Sequence, residues 1–396
     1  MKQPIAITLG DPAGIGPEII AKAFRDAPEV TRGCFVAGDV AALRRAAAIV
    51  QGRCLAPLPP RGGGVGGEGE RRAERCFALE SAAAAPSPQP SPARGEGEIL
   101  DAHGVDLPVA EITAPSEAWQ APPRCIPVLQ VVAPFAPVAL GQISARAGRV
   151  AGDCVTWAAR AALRGELAAI VTAPLHKEAL AAAGAPYAAF PGHTELLQAE
   201  AAAYLNQPVR DVPVRMMLAN DELRTVLVSI HMSLRQAIDQ VTEGNVLETL
   251  RITHRSVGAA LGRSPRIAVA GLNPHAGEGG LFGREELDII APVIARAKGE
   301  GIDARGPFAP DTVFMRARST PAHPGEFDVV VAMYHDQGLI PVKYLGVEQG
   351  VNVTLGLPLV RTSPDHGTAF DLASSGRADA SSLLAAIRMA RLLAGR

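Results

Sequence analysis

Residues 266–298, RIAVAGLNPHAGEGGLFGREELDIIAPVIARAK, carry the pattern that decides the fold of this chain. They begin with an almost wholly apolar run, 266–272, which is typical of a strand buried on both faces. A glycine-rich loop follows, and then a helical segment, 284–298, with acidic residues early and basic residues late, as the helix dipole favours. The stretch therefore predicts one strand–loop–helix unit.

The same unit recurs along the chain. Other apolar runs that predict strands are residues 4–9, 34–38, 168–174, 223–230 and 328–334, and helical patterns fill the gaps between them. Strands that alternate with helices predict an α/β protein with a largely parallel sheet. The length of 396 residues favours two lobes over a single small domain.

The composition excludes several classes of partner. The chain has 38 basic and 40 acidic residues, a net charge of −2 and no long basic run, which argues against nucleic acid. It has no apolar stretch long enough to span a membrane and no room for a signal peptide before its first strand, so we expect a cytoplasmic protein. No zinc–thiolate site or disulfide framework is indicated, because the cysteines lie far apart, at Cys34, Cys54, Cys76, Cys125 and Cys154.

Residues 56–98 break the alternating pattern. Of these 43 residues 15 are Gly or Pro, a composition that cannot build a packed core. We expect a disordered surface insertion here; a partner-binding segment is the alternative.

A glycine loop follows the first predicted strand, at residues 10–18 (GDPAGIGPE). Pro17 suits the first turn of a helix, whose free N–H groups can meet an anion or a cofactor. The loop is not a dinucleotide fingerprint, because Ile19 stands where the third glycine of G-x-G-x-x-G belongs. A plain tight turn explains it as well.

Four histidines follow directly on predicted strands: His176, His231, His275 and His335. The carboxyl ends of parallel strands meet in one crevice, where ligands bind. Three imidazoles from separate strands can hold a transition metal there and leave a position open. Placement alone leaves open which three of them bind the metal. Any one of them can instead be a histidine of the core whose hydrogen bonds are made within the protein.

Polar residues near these histidines suggest an anionic ligand. Asp336 stands beside His335, as a hydrogen-bond partner of a metal-binding histidine often does. Farther on lie Lys343, Asn352 and Arg361, which suit a phosphate or carboxylate. Arg361, taken alone, can equally be a surface salt-bridge residue.

Eight stretches together resemble the 4-hydroxythreonine-4-phosphate dehydrogenase family of pyridoxal 5′-phosphate biosynthesis. They recur in the family's order and cover almost the whole chain apart from the segment before Leu100. They are residues 8–18 (TLGDPAGIGPE), 172–180 (TAPLHKEAL), 191–195 (PGHTE), 231–238 (HMSLRQAI), 271–286 (GLNPHAGEGGLFGREE), 306–314 (GPFAPDTVF), 334–344 (YHDQGLIPVKY) and 351–373 (VNVTLGLPLVRTSPDHGTAFDLA).

The resemblance implies a two-lobed, three-layer α/β/α fold like that of isocitrate and isopropylmalate dehydrogenases, with the active-site cleft between the lobes. One lobe, on the cofactor side, comprises residues 1–140 and 300–396, and the central substrate and dimerisation lobe comprises 141–299. NAD or NADP is expected near two segments, at Gly14, Gly16, His366, Gly367 and Thr368.

The resemblance also implies the roles of the polar residues. One divalent metal per site (Zn, Mg or Co) is held by His231, His275 and His335, gathered from two subunits of a homodimer. His176 then becomes a neighbour of the site, with Lys177 beside it. Asp311 and Asp336 are expected near the metal, and the general base is not assigned. The expected contacts to substrate are His193, Thr194, Lys343, Asn352 and Arg361.

The implied reaction is the oxidation of 4-phosphooxy-L-threonine to 2-amino-3-oxo-4-phosphooxybutanoate, which loses carbon dioxide to give 3-amino-2-oxopropyl phosphate. A sister dehydrogenase of 4-phospho-D-threonate or 4-phosphoerythronate is the nearest alternative. A zinc-dependent hydrolase is an alternative from another class, since three histidines and a water also suit hydrolysis. The segment His366-Gly-Thr-Ala argues against it, because a hydrolase has no use for a dinucleotide site.

Overall fold

The computed structural model describes residues 2–53 and 107–395. Residues 54–106, which contain the predicted insertion at 56–98, lie outside the described residues. Within the described ranges no helix is both long and apolar enough to cross a membrane. Cys34, Cys125 and Cys154 are buried free thiols, whereas Cys54 and Cys76 lie outside the described residues.

Twelve described strands form one sheet in the order β3-β4-β2-β1-β5-β12-β11-β6-β7-β10-β8-β9. The strands are β1 (Ile5–Thr8), β2 (Cys34–Gly38), β3 (Val109–Ile112), β4 (Ile126–Gln130), β5 (Ala169–Thr172), β6 (Arg215–Ala219), β7 (Arg224–Leu227), β8 (Ile267–Ala270), β9 (Ala304–Phe308), β10 (Val329–Ala332), β11 (Val351–Leu355) and β12 (Arg361–Pro364). All neighbours are parallel except β12–β11, β11–β6 and β6–β7. The prediction of a largely parallel sheet is therefore confirmed.

Helices cover both faces of this sheet. They are α1 (Gly16–Asp26), α2 (Pro28–Thr31), α3 (Val40–Val50), α4 (Ala145–Leu163), α5 (Lys177–Ala182), α6 (His193–Leu205), α7 (Leu234–Asp239), α8 (Glu243–Leu261), α9 (Ala291–Gly299), α10 (Val313–Ala317), α11 (His335–Tyr344) and α12 (Ser381–Leu393). Alternate residues of one strand enter different cores: Ile5 and Ile7 pack in one, and Ala6 in another. The three-layer α/β/α prediction is confirmed.

The units predicted from sequence form as expected. The stretch 266–298 folds into β8, a turn, a π-helical segment (Glu286–Ile290) and α9. α1 begins after the glycine loop with a proline in its first turn. A proline fits there because its missing N–H has no helical partner at that position.

The sheet is continuous across the two predicted lobes. β9 and β10, which come from the part of the chain assigned to the cofactor side, lie beside β7 and β8 from the central lobe. Strands from the two predicted lobes, 1–140 with 300–396 and 141–299, are thus neighbours in the sheet. The division into lobes stays a prediction.

Candidate functional site

Three neighbouring strands bring the predicted metal ligands to one edge of the sheet, which we call the histidine edge (His231, His275 and His335). The order β7–β10–β8 places their parallel carboxyl ends side by side. His231 follows β7, His335 begins α11 after β10, and His275 lies in the turn after β8. The rings of His231 and His335 lie 5.5 Å apart, centroid to centroid.

The chemistry of this histidine pair suits a metal. The Nδ1 of His335 lies 2.7 Å from Oδ1 of Asp336, which leaves Nε2 as the ring's other donor atom. Burial lowers the pKa of His231, and His335 and Lys177 nearby lower it further. A neutral imidazole is the form that binds a divalent transition metal, so the donors present fit Zn or Co.

His275 is presented differently, on a left-handed turn, Pro274–Gly280. Six successive residues, 275–280, have positive φ, and three of them, His275, Ala276 and Glu278, are not glycine. Each such residue costs about 1–2 kcal/mol in this conformation. Strain of this kind persists only where the surroundings enforce it, and it clusters at functional sites.

The three predicted metal ligands do not form one cluster within the described residues of a single chain. Among the described residues of one chain, no group of three or more His, Cys, Asp or Glu side chains is arranged to hold a metal ion. Asp336 contacts a predicted ligand, whereas Asp311 lies exposed in the loop between β9 and α10. The structure shows no hydrogen bond or ion pair between Asp311 and the three histidines, all of which are described.

Arg361 and His193 lie close enough to interact electrostatically, and we call this pair the anion pocket. Arg361 is only 4% exposed. Its Nε and Nη2 donate to the hydroxyl of Thr172 at 3.0 and 2.7 Å, and its Nη1 donates to that of Thr354 at 3.0 Å. Burial lowers the pKa of Arg361 to about 10, with Glu195 acting in the opposite direction.

No carboxylate of the described residues forms an ion pair with Arg361. The alternative that it is a surface salt-bridge residue is therefore wrong, because the side chain is buried and only hydroxyls accept from it. A buried cation without a counter-ion is costly. Its position favours an incoming phosphate or carboxylate.

His193 and Thr194 stand in the first turn of α6. The pKa of His193 lies well below its ordinary value, mainly through burial and then through Arg361 and Lys177. Its Nε2 is buried without a partner among the described residues. The ring is therefore neutral beside two cations, with a free nitrogen for a ligand.

Lys343 and Asn352 complete the predicted substrate contacts. The Nζ of Lys343, near the end of α11, lies 2.7 Å from Oδ2 of Asp365, whose side chain is almost buried. Asn352 lies on β11 opposite Ser363 of β12. Asp365 thus links the predicted substrate lysine to the segment that begins with His366.

The two predicted cofactor segments contact each other. The N–H of Ile15 donates to the carbonyl of Thr368 at 3.0 Å. A Cβ on Gly14 would lie 2.9 Å from that same oxygen, so the approach of the two loops requires glycine here. The Nδ1 of His366 lies 3.0 Å from the carbonyl oxygen of Gly367, and its Nε2 is buried without a described partner.

His176 belongs with these segments and not with the histidine edge. Its ring stacks on Phe370, with centroids 4.7 Å apart and planes at 15°. Its Nδ1 is buried without a described partner. The structure thus places His176 next to the predicted cofactor segment. This agrees with the resemblance, which makes His176 a neighbour of the site and not a metal ligand.

Sequence reasoning missed the residues that support this site: Thr172, Glu195, Glu286, Gln337, Thr354 and Asp365. All six stand within the stretches quoted for the resemblance. Their position in a stretch gave no sign of their role, because that role lies in a tertiary contact.

The comparisons with known proteins agree with one another. Residues 93–390 match the family described as pyridoxal phosphate biosynthetic protein PdxA. A 4-hydroxythreonine-4-phosphate dehydrogenase from Beijerinckia indica is 45% identical over 383 residues, which cover 97% of this chain and 93% of the relative. A D-threonate 4-phosphate dehydrogenase from Salmonella typhimurium is 41% identical over 395 residues, which cover 98% of each.

A solved structure gives the same result for the fold. The crystal structure of 4-hydroxythreonine-4-phosphate dehydrogenase from Klebsiella pneumoniae is similar to this chain with a TM-score of 0.74 and 36% identity. The similarity covers 99% of this chain and 100% of that one.

Proposed function

Because the chain belongs to the pyridoxal phosphate biosynthetic protein PdxA family, we propose that it oxidises 4-phosphooxy-L-threonine with NAD or NADP. The product is 2-amino-3-oxo-4-phosphooxybutanoate, a β-keto acid, which loses carbon dioxide to give 3-amino-2-oxopropyl phosphate. Relatives bearing the dehydrogenase name at 39–45% identity favour this reaction over the zinc-dependent hydrolase. The reaction takes place in the cytoplasm.

The observation that carries the proposal is the buried Arg361, which forms no ion pair with a carboxylate of the described residues. A phosphorylated amino acid brings a phosphate and a carboxylate, and either one can neutralise the guanidinium through two parallel hydrogen bonds. His193, Thr194, Lys343 and Asn352 hold the remaining anionic oxygens. The substrate is thereby fixed at both ends, so that its secondary hydroxyl faces the histidine edge.

His231 and His335 of one chain, with His275 of a second chain, would hold a divalent metal; of Zn, Mg and Co, their imidazole donors suit Zn and Co best. When bound, such a metal supplies Lewis acidity that lowers the pKa of the substrate hydroxyl. The low pKa of His231 supports this assignment, because it keeps the ring neutral and its nitrogen free. Asp336 fixes the orientation of the His335 ring through Nδ1.

The nicotinamide cofactor is held by the two touching segments, with the contacts at Gly14, Gly16, His366, Gly367 and Thr368. When bound, NAD or NADP would accept the hydride from the substrate. The buried, unpartnered Nε2 of His366 supports this site, because a polar atom in that state is costly unless a ligand satisfies it. The residues of the chain align the cofactor with the carbinol carbon.

A homodimer completes the metal site. Large apolar side chains are exposed on the elements next to each of the three histidines. They are Met232 and Leu234 after His231, Leu281 and Phe282 after the His275 turn, and Ile340 and Tyr344 on α11, where Tyr344 is 90% exposed. Apolar side chains grouped around an incomplete site favour a second copy that covers them.

A substrate panel tests the proposal. The protein, loaded with Zn, Mg or Co in turn, is given 4-phosphooxy-L-threonine, 4-phospho-D-threonate or 4-phosphoerythronate with NAD or NADP. We expect reduced nicotinamide to form from the L-threonine derivative. Activity confined to the D-threonate derivative would favour the function named for the Salmonella relative. The Arg361→Met variant serves as the control, and it should lose activity on every phosphorylated substrate.

A further inference from the structure

The turn that carries His275 wraps around a buried carboxylate. Glu286 is 3% exposed. One of its oxygens accepts the N–H groups of Leu272 and Asn273 at 2.7 and 2.8 Å, and the other accepts the side-chain amide of Asn273 at 2.9 Å. Both oxygens are therefore occupied by the two residues that lead into the turn.

The turn and the carboxylate are also closely packed. A Cβ on Gly277 would lie 2.7 Å from one oxygen of Glu286, and a Cβ on Gly271 would lie 3.0 Å from the other. Three non-glycine residues of this turn hold a left-handed conformation that they rarely adopt. Glu286 thus bonds the residues that lead into this turn and packs against Gly277 within it.

Gln337 ties the same segment to the neighbouring histidine. Its side-chain amide donates to the carbonyl of Gly271 at 2.8 Å, and its side-chain oxygen accepts the N–H of Met333 at 2.7 Å. Met333 and Gln337 flank His335 at the start of α11. Gly271 begins the segment that leads to His275, so Gln337 connects the backbones that present two of the three histidines.

We propose that Glu286 is a positioning residue that holds the His275 turn in its metal-binding conformation, with Gln337 joining that turn to α11. This inference rests on the proposed function, in which His275 is a metal ligand. Glu286 does not bind the metal, because both of its oxygens are buried and already accept hydrogen bonds. It acts through the backbone that carries the ligand, as residues behind a metal ligand commonly do.

Titration of the metal-free, full-length protein with Co²⁺ tests this role, read from the visible absorption of the bound ion. In Glu286→Gln an NH₂ group replaces one accepting oxygen and faces donors. We expect its Co²⁺ affinity to fall about 10–100-fold, the usual effect of disturbing a residue behind a ligand, with an altered spectrum. The matched control is Glu285→Gln, because the carboxylate of Glu285 accepts from the side-chain amide of Asn273 but, among the described residues, from no backbone N–H of the turn; it should keep wild-type affinity.

A second variant tests whether strain in the turn is the cause. Ala276→Gly removes one unfavourable left-handed residue, since glycine adopts this conformation freely. The double variant Glu286→Gln, Ala276→Gly should bind Co²⁺ several-fold more tightly than Glu286→Gln alone. If Glu286→Gln alone is unstable, the double variant can be measured in its place.

Two results would overturn the inference, and they are distinguishable. If Glu286→Gln and its double variant bind Co²⁺ with wild-type affinity and spectrum while His275→Ala does not bind, Glu286 has no positioning role. If His275→Ala itself binds Co²⁺ normally, the proposed metal site is wrong and the inference falls with it.

Discussion

The anion pocket and the histidine edge are built in opposite ways. Arg361 lies on β12, and its guanidinium is held by hydroxyls from the two adjacent strands of the same chain, β5 and β11. At the histidine edge one chain brings only two rings together, and the third lies on a strained turn beside exposed apolar side chains. Under the proposed function, this difference means that one chain is built to hold the charged ends of the substrate, whereas the reacting centre requires a metal and a second chain.

The largest effect is expected at the histidine edge. His275→Ala should remove bound metal and lower turnover by about 10³-fold or more, because the Lewis acid supplies several kcal/mol of charge stabilisation. Metal content and initial rates measure this, with the exposed His323→Ala as the control. Normal metal content in His275→Ala would show that His275 is not a metal ligand. The histidine edge would then not depend on the strained turn, and its contrast with the anion pocket would be smaller.

A smaller but still large effect is expected in the anion pocket. Arg361→Met should lower kcat/KM by roughly 10²–10³-fold, the usual result of removing one member of a buried, hydrogen-bonded charge pair. The unliganded variant should melt at the same temperature as the wild type or higher, because an unpaired buried charge is removed. A lower melting temperature with unchanged kcat/KM would instead make Arg361 a structural residue.

The ion pair between Lys343 and Asp365 should matter less. Asp365→Asn releases a lysine whose side chain is 43% exposed, so we expect KM to rise about 2–5-fold with kcat nearly unchanged. Steady-state kinetics across salt concentrations measure this effect, which should shrink as salt screens the pair. An unchanged or lower KM would mean that Asp365 does not orient Lys343.

The smallest effect concerns pH. The pKa of His193 in the folded chain lies below its ordinary value of 6.5. As the pH falls below 6.5, the imidazole of the unfolded chain therefore takes up a proton while that of the folded chain stays neutral. The stability of the unliganded protein should therefore fall below pH 6.5, and less steeply in His193→Gln. Melting temperatures between pH 7.5 and 5.5 measure the difference; equal slopes in the two proteins would show that His193 ionises freely.

Part of the fold was predictable from the sequence because six of the described strands are short apolar runs and helices follow them. Residues 266–298 formed the unit that their pattern predicts. The sequence also predicted that histidines follow the strands, but not which strands are neighbours. β7 and β10 are separated by 101 residues of chain, 228–328, so the meeting of His231 and His335 depends on a sheet order that no local pattern encodes.

Other features of the site escaped the sequence for physical reasons. The burial of Arg361 depends on hydroxyls from strands far apart in the chain, Thr172 and Thr354. The left-handed turn at His275 runs against the preferences of His, Ala and Glu, so propensity predicts the wrong conformation there. Asp311 lies exposed and forms no hydrogen bond or ion pair with the described histidines, so its place near the metal stays a prediction.

The central claim is that a second copy of the chain supplies His275 to a site whose other residues come from the first. Mixing inactive His275→Ala with inactive Lys343→Ala and allowing subunits to exchange tests it directly. If the site is shared, each mixed dimer contains one wild-type site, and activity should return to about a quarter of the wild-type level. If all ligands come from one chain, every site in the mixture carries a mutation, and an absence of recovered activity in exchanged dimers would contradict the account.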